Sequence, residues 1–445
     1  MEQAVLTKRI LPAGDTLTRR SQITLLSSLF FAVSMWFYFE KVLIPSQVAD
    51  EAAHGRSRGN LSDLYPRWWG TRELLLHHRD PYSSEVTREI QTGYYGRALD
   101  PNRPDDPKDQ QAFAYPLYVV FLFAPTILLT FSVVHTLFLW LLVFITGLSC
   151  LLWVRLIGWK LSAADLTTVM ILVLNSLPAV QGLKLQQLSL LVCGLIAICM
   201  VLLIRGQLLS AGGVLALATI KPQLVMLLVG WLILWAFGDW RVRQYFVYGF
   251  GVVMSILLVG AQLLLPGWIW RFSDGLVAYQ HYTGESGSTL DMLFTPIPGR
   301  SLAVLLIFGV MVVSWRSRRM PAASHVFMLT TALVLAVTVV VIPKVSLYNQ
   351  LLLLPAIFIL LKNRQWFHGR RFLRLLQFIG FGAFFWPWFS AGVITTASLF
   401  ATNEALQSWW ILPIYTSLAI PPMVLALLVL YLLRLPNLEV VHSPI

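Results

Sequence analysis

Long apolar stretches recur along almost the whole chain, and short polar segments separate them. Most run for about 16 to 25 residues, which is the length an α-helix needs to cross a membrane, whereas a barrel strand needs about 10 residues. Only 12% of the 445 residues are charged, against about 25% in soluble domains. The sequence therefore predicts an all-α integral membrane protein with about twelve transmembrane helices and a large first outer loop.

The predicted domain boundaries follow the apolar segments. Residues 1–20 are predicted to be cytoplasmic, 21–44 to form the first transmembrane helix, 45–131 to form the outer loop with interfacial helices, and 434–445 to be cytoplasmic. Eleven further spans are predicted within 132–433, with a second outer loop at 266–299. Their predicted bounds are 132–154, 165–181, 188–204, 208–220, 222–238, 244–266, 299–315, 323–342, 346–361, 372–393 and 407–433. Residues 116–129 are short and contain prolines, so we predict a re-entrant or interfacial piece there.

The formal net charge of +12 comes from Lys and Arg that cluster in the short connections. Basic residues collect on the cytoplasmic side of membrane proteins, so this charge indicates topology, and no nucleic-acid partner is expected. Phosphate-binding, dinucleotide and metal-binding motifs are missing from the sequence. No cofactor or metal is therefore predicted.

The first outer loop holds eleven of the 21 acidic residues. Within it, Ser62 can cap a helix from Asp63 to His77 whose apolar stripe would lie on the membrane. Asp63 would then stand at the membrane edge, where a carboxylate can accept a hydroxyl proton. Alternatively, Asp63 only stabilises the N-terminus of that helix through its dipole.

Three further polar groups interrupt apolar segments on the predicted outer side. Lys221 could pair with a lipid phosphate or simply extend to the membrane surface. The groups around Lys344, Tyr348 and Asn349, and around Gln187, could bind a phosphate or sugar hydroxyls or serve as ordinary turns and helix caps. Ionisable groups near hydrocarbon are costly, which makes them candidates for function.

Four stretches resemble glycosyltransferase family 87, the polyprenyl-phosphate-sugar-dependent transferases with the GT-C membrane fold. The likeness extends over about residues 22–360 and departs from the family pattern at Leu117, Gln186 and 77–79. The four stretches are Asp63 to Leu76 continuing to Asp80-Pro-Tyr82, Phe113-Ala-Tyr115-Pro116, Gln186-Gln187-Leu-Ser, and Ala218 to Gln223. A weaker likeness is found at Ser346 to Asn349.

The resemblance implies a role for several positions. Asp63 matches the catalytic aspartate of the family, and Lys221 matches a contact to the donor phosphate. The other positions implied in donor-phosphate or sugar binding are Lys344, Tyr115, Gln187, Tyr348, Asn349, Asp80 and Tyr82.

The expected activity is inverting transfer of a hexose such as mannose from a polyprenyl-phosphate donor to a lipid or glycan acceptor. We expect this at the outer face of a bacterial plasma membrane, with membrane lipids as further partners. A ligase that moves a preassembled glycan remains an alternative. A secondary transporter is less well supported, because no paired repeats are evident.

Overall fold

The computed structural model describes residues 19–53, 62–100, 102–103, 106–107, 109–283, 287–343, 345–369 and 371–433. All regular structure within these ranges is helical. The first half contains α1 (Arg19–Phe37), a π-helix (Tyr38–Leu43), α2 (Ile44–Ala53), α3 (Tyr65–His77), α4 (Ser84–Tyr95), α5 (Val120–Phe123), α6 (Phe131–Leu156), α7 (Ala163–Leu174), α8 (Leu177–Lys184), α9 (Leu188–Ile204), α10 (Leu208–Ala218) and α11 (Pro222–Phe237).

The second half continues in the same way. It contains α12 (Trp240–Leu264), α13 (Trp268–Thr283), α14 (Thr289–Phe294), α15 (Pro296–Ser317), α16 (His325–Val341), α17 (Leu354–Lys362), α18 (Arg371–Ala397), α19 (Asn403–Ser408) and α20 (Ile420–Leu433). Short 3₁₀ helices cover Leu117–Val119, Ala124–Thr126, Leu347–Leu353 and Arg364–Gly369.

Within the described ranges, five helices are long and apolar enough to cross a membrane. They are Arg19–Ala53, Phe131–Leu156, Trp240–Leu264, Pro296–Ser317 and Arg371–Ala397, and the pair α7 and α8, bent by 52°, makes a sixth if it forms one span. The twelve predicted spans are thus not confirmed. Seven other apolar stretches have only 10–17 residues, and at 1.5 Å per residue 11 residues extend about 17 Å, well short of a bilayer core.

The last predicted span, 407–433, is not one helix in the structure. Residues 407–408 belong to α19, residues 409–419 form turns, and α20 starts only at Ile420. Pro413 lies within this segment and cannot donate a backbone hydrogen bond to a continuous helix. The earlier prediction that one helix fills this range is therefore wrong in its first half.

The helix after Asp63 packs into the protein. The stripe predicted to lie on the membrane consists of Leu64, Trp68 and Leu75. Leu64 and Trp68 are instead buried in the main apolar core and Leu75 is half-buried, so this stripe packs largely inside the protein. Ser62 does not cap α3, because its hydroxyl donates to Gln186 instead. The Arg79 guanidinium then holds α3 to α4 by pairing with Glu73 at 2.8 Å and with a carboxylate on α4 at 2.7 Å.

Basic connections contact one another across the bundle. The Arg243 guanidinium donates to the carbonyls of Trp235 and Arg318 at 2.9 and 2.8 Å, which joins the start of α12 to the end of α15. Lys362 donates to the carbonyl of Ile157 at 2.6 Å. Contacts distant in sequence therefore bring four of the Arg- and Lys-rich connections together in two pairs.

Candidate active site

The chain around Asp63 is fixed to the turn between α8 and α9. The Asp63 backbone N–H donates to the Leu185 carbonyl at 3.1 Å, and the Ser62 hydroxyl donates to Gln186 Oε1 at 2.7 Å. Gln186 has a φ of 49°, a left-handed conformation that turns the chain sharply before Gln187 starts α9. The segment that carries Asp63 and the helical bundle thus meet at this turn.

The Asp63 carboxylate accepts hydrogen bonds from two side-chain amides. Gln187 Nε2 donates to one oxygen, and Gln111 Nε2 approaches the other at 3.5 Å while donating to Asp109 at 2.8 Å. The Asp63 side chain is half-buried. A carboxylate in this setting is held in place and still has accessible surface.

Lys221 lies in the same network although it is distant in sequence. Its side chain is 6% exposed, and Nζ donates to Gln187 Oε1 at 2.6 Å and to the Ser189 hydroxyl at 2.8 Å. The Gln187 amide therefore donates to the carboxylate and accepts from the ammonium. Among the described contacts, this bridge joins Asp63 to Lys221 in place of a direct ion pair.

Two aromatic rings and a second cation complete the cluster. Lys221 Nζ lies 5.0 Å from the ring centre of Tyr348 and 5.9 Å from that of Tyr115, and the Arg67 guanidinium lies 4.2 Å from the Tyr115 ring. These distances are typical of cation–π contacts. Arg67 Nε and the Tyr115 hydroxyl are both buried and have no hydrogen-bond partner among the described residues, which is unusual for buried polar atoms.

Burial raises the pKa of the Asp63 carboxyl above its ordinary range, and the positive charges of Arg67 and Lys221 partly oppose this shift. The Asp109 carboxylate nearby raises the pKa further. An ionised carboxylate with a raised pKa takes up a proton more readily than an ordinary aspartate does. The site therefore combines a proton acceptor with two cations.

The remaining predicted residues are Asn349, Tyr82, Lys344 and Asp80. Asn349 belongs to the cluster, because its Oδ1 accepts from the Ser189 hydroxyl at 2.8 Å. Tyr82 contacts the cluster only through the backbone, since its hydroxyl donates to the Tyr115 carbonyl at 2.7 Å. Lys344 lies outside the described residues.

Asp80 occupies a separate position. One carboxylate oxygen accepts from the Tyr82 backbone N–H at 2.9 Å, and the other pairs with Arg271 at 2.5 Å. These contacts join the loop to α13 and stabilise the turn before α4. In these contacts Asp80 stabilises the loop, away from the Asp63 cluster.

Sequence reasoning missed Arg67, Gln111 and Ser189 as members of the site. Arg67 follows Asp63 by four residues at the start of a helix, a spacing at which side chains are neighbours, so this signal was present. Gln111 is 48 residues from Asp63 and Ser189 is 32 residues from Lys221. Only the fold shows these two contacts.

The sequence profile of glycosyltransferase family 87 matches residues 113–343, just over half of the chain. This range includes Tyr115, Gln187 and Lys221 and begins after Asp63. No curated protein and no solved structure gave a significant match.

Proposed function

The chain belongs to glycosyltransferase family 87, and from this premise we propose that it transfers a hexose, such as mannose, from a polyprenyl-phosphate donor to an acceptor hydroxyl. One observation carries the proposal. Gln187 connects a half-buried carboxylate to a buried ammonium and leaves the two charges unpaired with each other. A glycosyl transfer with a phosphate leaving group needs these two functions, a base and a cation, on opposite sides of the reacting carbon.

In the proposed step, the acceptor oxygen attacks the anomeric carbon of the donor sugar while Asp63 takes the hydroxyl proton. The bond between the anomeric carbon and the phosphate oxygen breaks, and both its electrons leave with the polyprenyl phosphate. A single displacement of this kind inverts the anomeric configuration. No cofactor is part of the proposed step.

Lys221 and Arg67 would stabilise the charge that develops on the leaving phosphate. The Tyr115 hydroxyl and Arg67 Nε are buried without hydrogen-bond partners among the described residues. In the proposed complex they would donate to phosphate oxygens. Tyr348 and Asn349 would contact the sugar. Lys344, as the sequence predicts, would also stabilise the donor phosphate, and Asp80 and Tyr82 would hold the loop that carries Tyr115.

We further propose that the site faces outward from a bacterial plasma membrane, because the basic connections would then lie in the cytoplasm. In this arrangement the short apolar helices complete a bundle of about twelve membrane segments. The donor would enter laterally with its polyprenyl chain in the lipid, and a lipid or glycan would accept the sugar.

The test is transfer from radiolabelled polyprenyl-phosphate mannose to endogenous acceptors in membranes containing equal amounts of protein. We expect Asp63→Asn to lower the rate by about 10²- to 10⁴-fold, the usual contribution of a general base. Asp100→Asn is the matched control, because Asp100 is an exposed aspartate of the same loop, and its rate should equal that of the wild type.

Two results would overturn the proposal. An Asp63→Asn variant as active as the wild type would remove Asp63 from the reaction. Wild-type membranes that use no polyprenyl-phosphate sugar, but transfer a glycan from a polyprenyl diphosphate, would identify a ligase instead.

A further inference from the structure

A cavity between the helices lies away from Asp63 and Lys221. It has a volume of about 790 Å³ and is enclosed by α1, α7, α17, α18 and neighbouring turns. Two helix irregularities border it. The α7 and α8 axes bend by 52° next to Ser176, and Pro387 interrupts the hydrogen-bond ladder of α18. The helices therefore do not close against one another here.

The cavity is polar at one end and largely apolar along its length. The start of α1, the start of α7 and the end of α17 form its polar end, where Arg20, Lys362 and Arg364 are exposed and Asp165 is the opposing acid. Farther in, apolar side chains such as Leu172, Ile357 and Phe384 line it. The polar end thus has a net positive charge.

This charge pattern matches one class of ligand. Basic pockets between helices on the cytoplasmic side of membrane proteins bind anionic lipid head groups, and an apolar cleft accommodates acyl chain. We propose that the cavity binds an anionic phospholipid of the surrounding membrane, with its phosphate at Arg20 and Arg364 and an acyl chain between α7 and α17.

The same pattern argues against the sugar donor as the occupant. If a sugar donor held its phosphate at Lys221 and its polyprenyl chain ran into the cavity, the apolar end of that chain would lie against the cationic end of the cavity. Neither Asp63 nor Lys221 lines the cavity. The lipid site is therefore separate from the proposed active site, and the two proposals can fail independently.

The experiment measures lipid binding to the purified full-length protein by native mass spectrometry. Dioleoyl phosphatidylglycerol, which is anionic, is compared with dioleoyl phosphatidylcholine, which has the same chains and no net charge. A basic side chain near an anionic lipid contributes about fivefold to binding. We expect Arg20→Gln with Arg364→Gln to weaken phosphatidylglycerol binding about 30-fold and to leave phosphatidylcholine binding unchanged.

The control is Arg316→Gln with Arg319→Gln, which removes two exposed arginines of another basic connection. These residues do not line the cavity, so binding should stay within about twofold of the wild type. A second variant, Thr24→Trp, fills the cavity from an exposed position on α1. It should weaken both lipids about tenfold, because acyl methylene groups are excluded.

Three results would overturn the proposal. The first is equal binding of the two lipids by the wild type. The second is an equal loss of phosphatidylglycerol in the control pair. The third is complete displacement of phosphatidylglycerol by polyprenyl phosphate at equimolar concentration, which would assign the cavity to the donor.

Discussion

Replacing Lys221 by methionine should reduce transfer strongly while changing stability little. Methionine nearly matches the lysine side chain in length and removes the charge. If Lys221 stabilises the leaving phosphate, we expect the rate to fall by about 10²- to 10³-fold, equivalent to about 2.7–4 kcal/mol of transition-state stabilisation.

The stability effect follows from the contacts of the ammonium group. Its removal leaves Gln187 Oε1 without that donor, at a cost of about 1–3 kcal/mol, while Ser189 keeps its hydrogen bond to Asn349. The variant also no longer buries a charge, and this stabilises its folded state because burying an ion costs several kcal/mol. These terms oppose each other, so the free energy of unfolding should change by less than about 2 kcal/mol.

The assay combines initial transfer rates at saturating donor with thermal unfolding in detergent. Lys184→Met is the control, because Lys184 is a lysine of α8 that pairs with Glu40 outside the Asp63 cluster, and its rate should stay near that of the wild type. The reasoning is refuted if Lys221→Met keeps more than about a tenth of the wild-type rate. It is also refuted if unfolding of the variant accounts for the whole loss.

Three other predictions follow from the structure. Because burial raises the pKa of Asp63, the transfer rate should fall with decreasing pH in a window above the ordinary aspartate pKa of about 3.9. In that window the folded state binds a proton that the unfolded state does not, so the stability of the wild type relative to Asp63→Asn should decrease as the pH rises. A pH–rate profile checks the first expectation, and unfolding measurements over the same pH range check the second. Asp80→Asn breaks a partly exposed ion pair with Arg271 that is worth about 0.2–1 kcal/mol, so the transfer rate should change by less than about threefold. A larger loss in the same assay would contradict the assignment of Asp80 to loop stability. Gly212→Ala would place a Cβ 2.0 Å from a backbone oxygen of α12, so the free energy of unfolding should fall by at least about 1–3 kcal/mol. Gly251→Ala is the control, because no atom lies within 4 Å of its Cβ. Its free energy of unfolding, measured by thermal unfolding, should stay unchanged or rise by about 0.5–1 kcal/mol.

The class of fold could be predicted from the sequence, because apolar stretches of membrane-spanning length are a strong local signal. The number of crossings could not. Helices such as α10, with 11 residues, and α11, with 16 residues, are apolar throughout, and hydropathy alone does not tell a complete crossing from a buried short helix. An apolar stripe likewise predicted a membrane-facing α3, although Leu64 and Trp68 of that stripe pack inside the protein.

The candidate site was predicted in part. Asp63 lies in the acidic loop, whereas Gln187 and Lys221 interrupt apolar sequence, and the structure brings the three together. Their order in the network, with Gln187 in the middle, depends on how the loop folds back onto the turn before α9. Asp80 resembled a site residue by its motif, but its partner Arg271 is 191 residues away and no local pattern indicates the pairing.

The attachment of Ser62 and Asp63 to the turn at Leu185 and Gln186 is one of two supports for the base. The second reaches Asp63 through Gln111, because Gln91 and Tyr95 on the buried face of α4 donate to the carbonyls of Gln110 and Asp109. The two faces of α4 therefore tolerate change differently. Directed evolution of acceptor range would keep the buried face of α4 and begin at its exposed positions, such as Arg88 and Thr92.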